Sequence, residues 1–141
     1  MALVDKALIL RKISEMETYK NQIGEFSNIT PKEYKENWKT QRIVERTLQM
    51  MIEICVDISN HIISAGGMRV PISYTDTFKI LHENKVIDSE LLDTMEKMAK
   101  FRNIVIHQYE EVDAEIVVLI LKKYMGDFER FKESILDYLG K

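Results

Sequence analysis

Apolar residues recur along this chain at steps of three and four, the period of a helix with one buried face, and no segment alternates strictly between apolar and polar as a half-buried strand does. From about Val4 to Phe26, Ile9, Ile13, Met16, Ile23 and Phe26 mark one face while Lys12, Glu15 and Lys20 mark the other, which predicts a first helix. Thr30-Pro31-Lys32-Glu33 opens a second: a threonine N-cap, a proline at the first helical position and a glutamate placed to close a capping box. From Trp38 to Ala65, Ile43, Val44, Leu48, Met51, Ile52, Cys55, Ile58 and Ile62 hold helical spacing over many turns until Gly66-Gly67 stops them. This stretch should be the spine of the core. Met68 to Ser73, with Pro71, reads as an extended link, and Ser73 and Asp76 start a short helix from about Tyr74 to Glu83. Asp88-Ser89-Glu90 opens a helix carrying Leu91, Leu92, Met95, Met98 and Phe101. After a brief turn over Glu110 to Val112, Asp113 caps a long amphipathic helix running through Ile116, Leu119, Ile120, Tyr124, Phe128, Phe131 and Leu136 to about Leu139. The pattern predicts an all-α bundle with short connections and a single domain over residues 1–141.

Charge and cysteine usage narrow the function classes. A formal net charge of −3 gives no global attraction to nucleic acid, so any RNA site must be a local basic patch. The single cysteine, Cys55, sits among apolar neighbours and reads as a buried thiol; with no partner there is no intrachain disulfide framework, which fits a reducing, cytoplasmic setting. Asp5 and Lys6 interrupt the apolar start and Arg11-Lys12 follow it, so neither a signal peptide nor a membrane span is expected.

The candidate chemistry gathers at Phe101-Arg102-Asn103-Ile104-Val105-Ile106-His107-Gln108-Tyr109. A guanidinium can stabilise charge building on a phosphoryl oxygen, and an imidazole can take or give a proton near neutral pH without a metal. At about 100° per residue, positions 102 and 107 of one helix point roughly 140° apart. Either the backbone leaves the helix near His107, or the two groups cooperate across a two-fold axis.

Arg102, four residues, His107, one residue and Tyr109 resemble the R-x4-H-x-Y signature of the HepT-like toxins, a branch of the HEPN superfamily of helical ribonucleases. Gln41 through Val70, Pro71 to Val86 and Phe101 to Asp113 resemble successive parts of that family in the same order. The resemblance implies a HEPN-type up-and-down bundle with a long central helix, and a homodimer whose motif helices meet so that two arginines and two histidines line one cleft. It also implies a toxin that cleaves RNA without a metal or other cofactor. One His107 would deprotonate the ribose 2′-hydroxyl, Arg102 would stabilise the phosphorane-like transition state, and the other His107 is a candidate donor to the leaving 5′-oxygen, giving a 2′,3′-cyclic phosphate. Asn103 is a candidate to orient the phosphate or the imidazole, and Asp57 to hold Arg102 or His107. The implied partner is a minimal nucleotidyltransferase antitoxin of the MntA type, which transfers AMP to Tyr109 and silences the site. Transfer RNA and messenger RNA both stay open as substrate. The competing expectation is an inert HEPN dimer that regulates or scaffolds the nucleotidyltransferase; a cleft that binds nucleotides as ligands is a third.

Other residues invite plainer readings. Glu53, Asp57 and His61, spaced four apart, could ligate a metal, but helix pairing explains the spacing better. His82 reads as a surface or turn residue. Lys97, Lys100, Lys122 and Lys123 either lend positive potential to the cleft or form a solvated face.

Overall fold

The computed structural model describes residues 3–141 and is built around α3, Trp38–Ala65. Before it come α1, Lys6–Ile23, and α2, Pro31–Glu36; after it come α4, Tyr74–Glu83, α5, Ser89–His107, α6, Ala114–Leu119, and α7, Gly126–Leu139. Among the described residues these seven helices occur with no strand. Short polar side chains start six of them, four at the caps the sequence marks, while α7 follows Met125 with no side-chain cap. Thr30 and Glu33 close the capping box in both directions at 3.1 Å, and Asp5, Asn37, Ser73, Asp88 and Asp113 each accept from a backbone N–H of the first turn. Each cap satisfies a donor that the helix itself leaves open.

The apolar stripe of α3 is the middle of the core. Val44, Leu48, Met51, Ile52, Cys55, Ile58 and Ile62 are all buried. α1, α4 and α5 pack on α3, α7 packs on α5, and α2 bridges α3 and α6. Phe78 of α4 meets Phe131 of α7 edge to face, ring centroids 6.2 Å apart. At the end of α3 the Met68 N–H reaches the Ile63 carbonyl at 3.0 Å while Gly67 takes φ 66°, a left-handed position that a glycine adopts without a Cβ clash. The link that follows is pinned rather than loose: Arg69 donates to both carboxylate oxygens of Asp76 at 2.8 and 2.9 Å and to Glu83 at 2.9 and 3.0 Å.

Two elements depart from the sequence-based expectation. The first helix ends at Ile23, and Gly24–Phe26 tightens into a 3-10 turn. The long C-terminal helix is interrupted: between α6 and α7, Ile120–Tyr124 forms a π-helical turn, with Ile120 and Leu121 buried and Lys122 and Lys123 outside. One widened turn leaves apolar spacing almost intact, so periodicity reads straight through it. No helix among the described residues is long and apolar enough to cross a membrane.

Candidate active site

Arg102 leaves α5 on the side facing α3, where its charge is met from three directions. Nε and Nη2 donate to Oε1 of Glu53 at 3.0 and 2.8 Å, Nη1 donates to Oδ1 of Asn103 at 3.3 Å, and the guanidinium carbon stands 4.6 Å from the centre of the Tyr74 ring. Gln49 adds a fourth member by donating to Glu53 at 3.1 Å. A guanidinium held by a carboxylate on one edge and an aromatic face below keeps few rotamers. Its head is thereby held in place by contacts within the chain.

His107 is the last residue of α5 and is exposed. The backbone stays helical through it and breaks only at Gln108, at φ −140° and ψ 41°. Within one chain, therefore, Arg102 and His107 keep the divergence of about 140° that helical geometry imposes. Tyr109 opens a 3-10 turn, Tyr109–Glu111, is half exposed, and carries the Arg42 guanidinium 5.6 Å over its ring. Arg42 is in turn tied at 3.1 Å to Glu45, a buried carboxylate that also accepts from the Tyr34 hydroxyl at 2.7 Å. Burial, reinforced by that bond to Glu45, pushes the Tyr34 phenol up from its ordinary range.

The supporting carboxylate is not the one expected. Asp57 is exposed and lies 3.5 Å from Lys12 of α1, while Glu53, one turn earlier on α3, meets Arg102. Four residues apart on one helix, the two carboxylates share a face, and the axial offset between α3 and α5 decides which one Arg102 reaches. Glu53, Asp57 and His61 do not converge: they serve Arg102, Lys12 and the backbone N–H of Asp5, which His61 accepts at 2.9 Å. Lys97 pairs with Asp93 at 3.0 Å on the exposed side of α5, and His82 sits partly exposed in the last turn of α4. Sequence reasoning missed Tyr74 and Arg42. The polar set Arg42, Glu45, Arg46, Gln49 and Glu53, spaced three and four apart along α3, is the signal that could have found Arg42.

The profile of a family described as ribonuclease HepT-like matches residues 16–135. The chain belongs to the ribonuclease HepT-like family. This bears out the resemblance carried by Arg102, His107 and Tyr109, and the all-α, HEPN-type fold with it. One HepT-like relative, called mRNA nuclease HepT, from Shewanella oneidensis, is 36% identical over 103 residues, 73% of this chain and 77% of its own. Another, called tRNA nuclease HepT, from Aphanizomenon flos-aquae, is 24% identical over 141 residues, 99% of this chain and 95% of its own. A solved structure described as a tri-AMPylated Shewanella oneidensis HEPN toxin in complex with an MNT antitoxin superposes with a TM-score of 0.84 at 32% identity, covering 92% of this chain and 96% of that one.

Proposed function

We propose that this chain is the toxin of a toxin–antitoxin pair: a metal-independent endoribonuclease, active as a homodimer and silenced when a minimal nucleotidyltransferase adds AMP to Tyr109. The observation that carries this reading is the fixed guanidinium of Arg102 inside a complete R-x4-H-x-Y motif, in a chain whose relatives bear the names of messenger-RNA and transfer-RNA nucleases. Arg102 offers charge to the phosphoryl oxygens where it builds in the transition state. His107 takes the proton of the ribose 2′-hydroxyl, the 2′-oxygen bonds to phosphorus, and the bond to the 5′-oxygen breaks as that oxygen receives a proton. The products are a 2′,3′-cyclic phosphate and a 5′-hydroxyl.

One chain orients its arginine and histidine too far apart to serve a single phosphate, so the proposal needs two copies around a two-fold axis, each supplying one His107. The motif helix leaves Ile104 and Ile106 more than a third exposed beside these groups, and the pinned link leaves Val70 and Ile72 almost fully exposed next to Tyr74. Apolar side chains held outward at a polar site are what a covering subunit would bury. For silencing, the phenolic oxygen of Tyr109 bonds to the α-phosphorus of ATP, pyrophosphate leaves, and the phenolic proton passes to solvent. Asn103 and Glu53 act as positioning residues, through their bonds to Arg102.

The test is end-group sequencing of RNA cleaved by purified protein in the presence of chelator, for wild type, Arg102→Ala and His107→Ala. Cyclic-phosphate ends from wild type alone are expected. Ends bearing 3′-hydroxyls overturn the mechanism, and no cleavage by a protein that still associates with its nucleotidyltransferase favours the inert assembly module.

A further inference from the structure

Tyr109 borders two hollows that share Arg42 and Glu45, and their charges differ. One, of about 420 Å³, lies between α3 and α5 and adds Arg46, Gln49 and Val105. The other, of about 520 Å³, lies toward α2 and α6 and adds Lys35 but also Glu110 and Asp113. A phosphodiester entering the second meets more carboxylates than cations; in the first it meets two guanidiniums and one carboxylate. That carboxylate, Glu45, is already answered by the Tyr34 hydroxyl at 2.7 Å and by Nη1 of Arg42 at 3.1 Å. Arg42 keeps its other donors, since a guanidinium carries five N–H groups. Arg46 is exposed and has no carboxylate partner among the described residues.

We propose that the hollow walled by Arg42, Arg46 and Gln49 seats the phosphate of the nucleotide that Tyr109 acquires, and so holds the modified tyrosine along α3. The proposal rests on the reading that Tyr109 is the modified residue. Its consequence is directional. The same ridge of α3 continues from Gln49 to Glu53, about three helical turns or ~16 Å along the axis from Arg42, and Glu53 holds Arg102. A nucleotide seated by Arg42 and Arg46 points down the approach to Arg102, and each further AMP added to it would lie nearer the guanidinium. RNA is then excluded by an anion fixed in its path, not by a tethered group sweeping solvent.

The experiment compares fully modified wild type, Arg46→Ala, Arg42→Ala/Arg46→Ala and Arg42→Lys/Arg46→Lys, prepared with the cognate nucleotidyltransferase and ATP and then, freed of it, challenged with a phosphodiesterase. AMP release is followed by intact mass. Seating predicts release on the order of tenfold faster from the double alanine variant, an intermediate rate for Arg46→Ala, and restored shielding in the lysine variant, because charge is the operative property. A double variant that takes up no AMP supports the proposal if the lysine variant takes it up normally, and overturns it if the lysine variant fails as well. Equal release rates from all four overturn the seating while leaving Tyr109 as the modified residue. A label that persists in Tyr109→Phe overturns both.

Discussion

Removing the Glu53 carboxylate should separate the presence of Arg102 from its placement. The Arg102 side chain is only 17% exposed, and both of its bonds to α3 end on one oxygen, Oε1 of Glu53. A charge-assisted hydrogen bond contributes roughly 1.5–3 kcal/mol when dry, and partial exposure on both sides lowers that, so Glu53→Ala should cost about 1–2 kcal/mol of stability. The catalytic cost has another origin. Freed of Glu53, the guanidinium regains rotamer freedom worth about 2 kcal/mol, which must be surrendered again in each transition state, and 2 kcal/mol corresponds to about a 30-fold loss in rate. Tyr74 still stacks beneath it and should keep the loss from growing further. Glu53→Gln retains an acceptor oxygen without the charge and should recover most of the rate. Initial rates on a fluorogenic RNA, with kcat and KM resolved, are the assay: kcat should fall while KM moves little, because placement matters most where charge builds. If Glu53→Ala stays within about twofold of wild type while Arg102→Ala is inactive, Arg102 finds its position without help and Glu53 has no positioning role.

Four further outcomes follow from the fold. Lys85 takes a left-handed φ of 61° where α4 ends, with the Val86 N–H on the Leu81 carbonyl at 2.8 Å, so Lys85→Gly should raise stability by about 1 kcal/mol in urea denaturation. The Arg69 guanidinium, helped by the Ile72 N–H, holds the Asp76 carboxyl down at about 2, below its unfolded value near 4. Its stabilising contribution is therefore complete above about pH 4 and disappears as pH falls toward 2, a step in melting temperature that Asp76→Asn should flatten. Cys55 is fully buried beside Met16, its sulfur 3.7 Å from the thioether, and burial pushes its thiol up; a maleimide should label it only in denaturant. Tyr34→Phe strips the buried Glu45 of one partner and should cost about 1.5–3 kcal/mol in the same denaturation experiment.

The helices were legible because local signals and periodicity agreed. Thr30 to Glu33, Ser73 and Asp88 mark starts, Gly66-Gly67 marks a stop, and the α3 stripe marks what is buried except at Ile43, which faces outward. The π-helical turn at Ile120–Tyr124 was not legible, since an added residue in one turn barely disturbs an amphipathic pattern. Within the site, the motif named Arg102, but nothing local could choose between Glu53 and Asp57 as its partner. That choice depends on how the side chains of α3 and α5 interdigitate, across a sequence separation of 49 residues. Tyr74 reaches Arg102 across the link pinned by Arg69, and only the tertiary structure reveals that contact.

The polar residues of α3 connect the surroundings of Tyr109 to Arg102. Glu45 and Gln49 are nearly as buried as the leucines around them, and a polar group in such a position costs stability unless it is paired. Here both are paired, and the pairings lead to cations. Glu45 fixes Arg42 over Tyr109, and Gln49 steadies Glu53, which fixes Arg102. A helix selected only for core packing would gain by replacing these side chains with apolar ones. Their arrangement is economical if α3 must present one guanidinium to the tyrosine and hold another for the phosphate. Because Arg42 and the Glu53 that holds Arg102 both stand on the same rigid helix, their separation is set by helical rise and not by loop conformation. If Tyr109 carries the nucleotide as proposed, a group anchored beside Arg42 would lie at a fixed distance from Arg102.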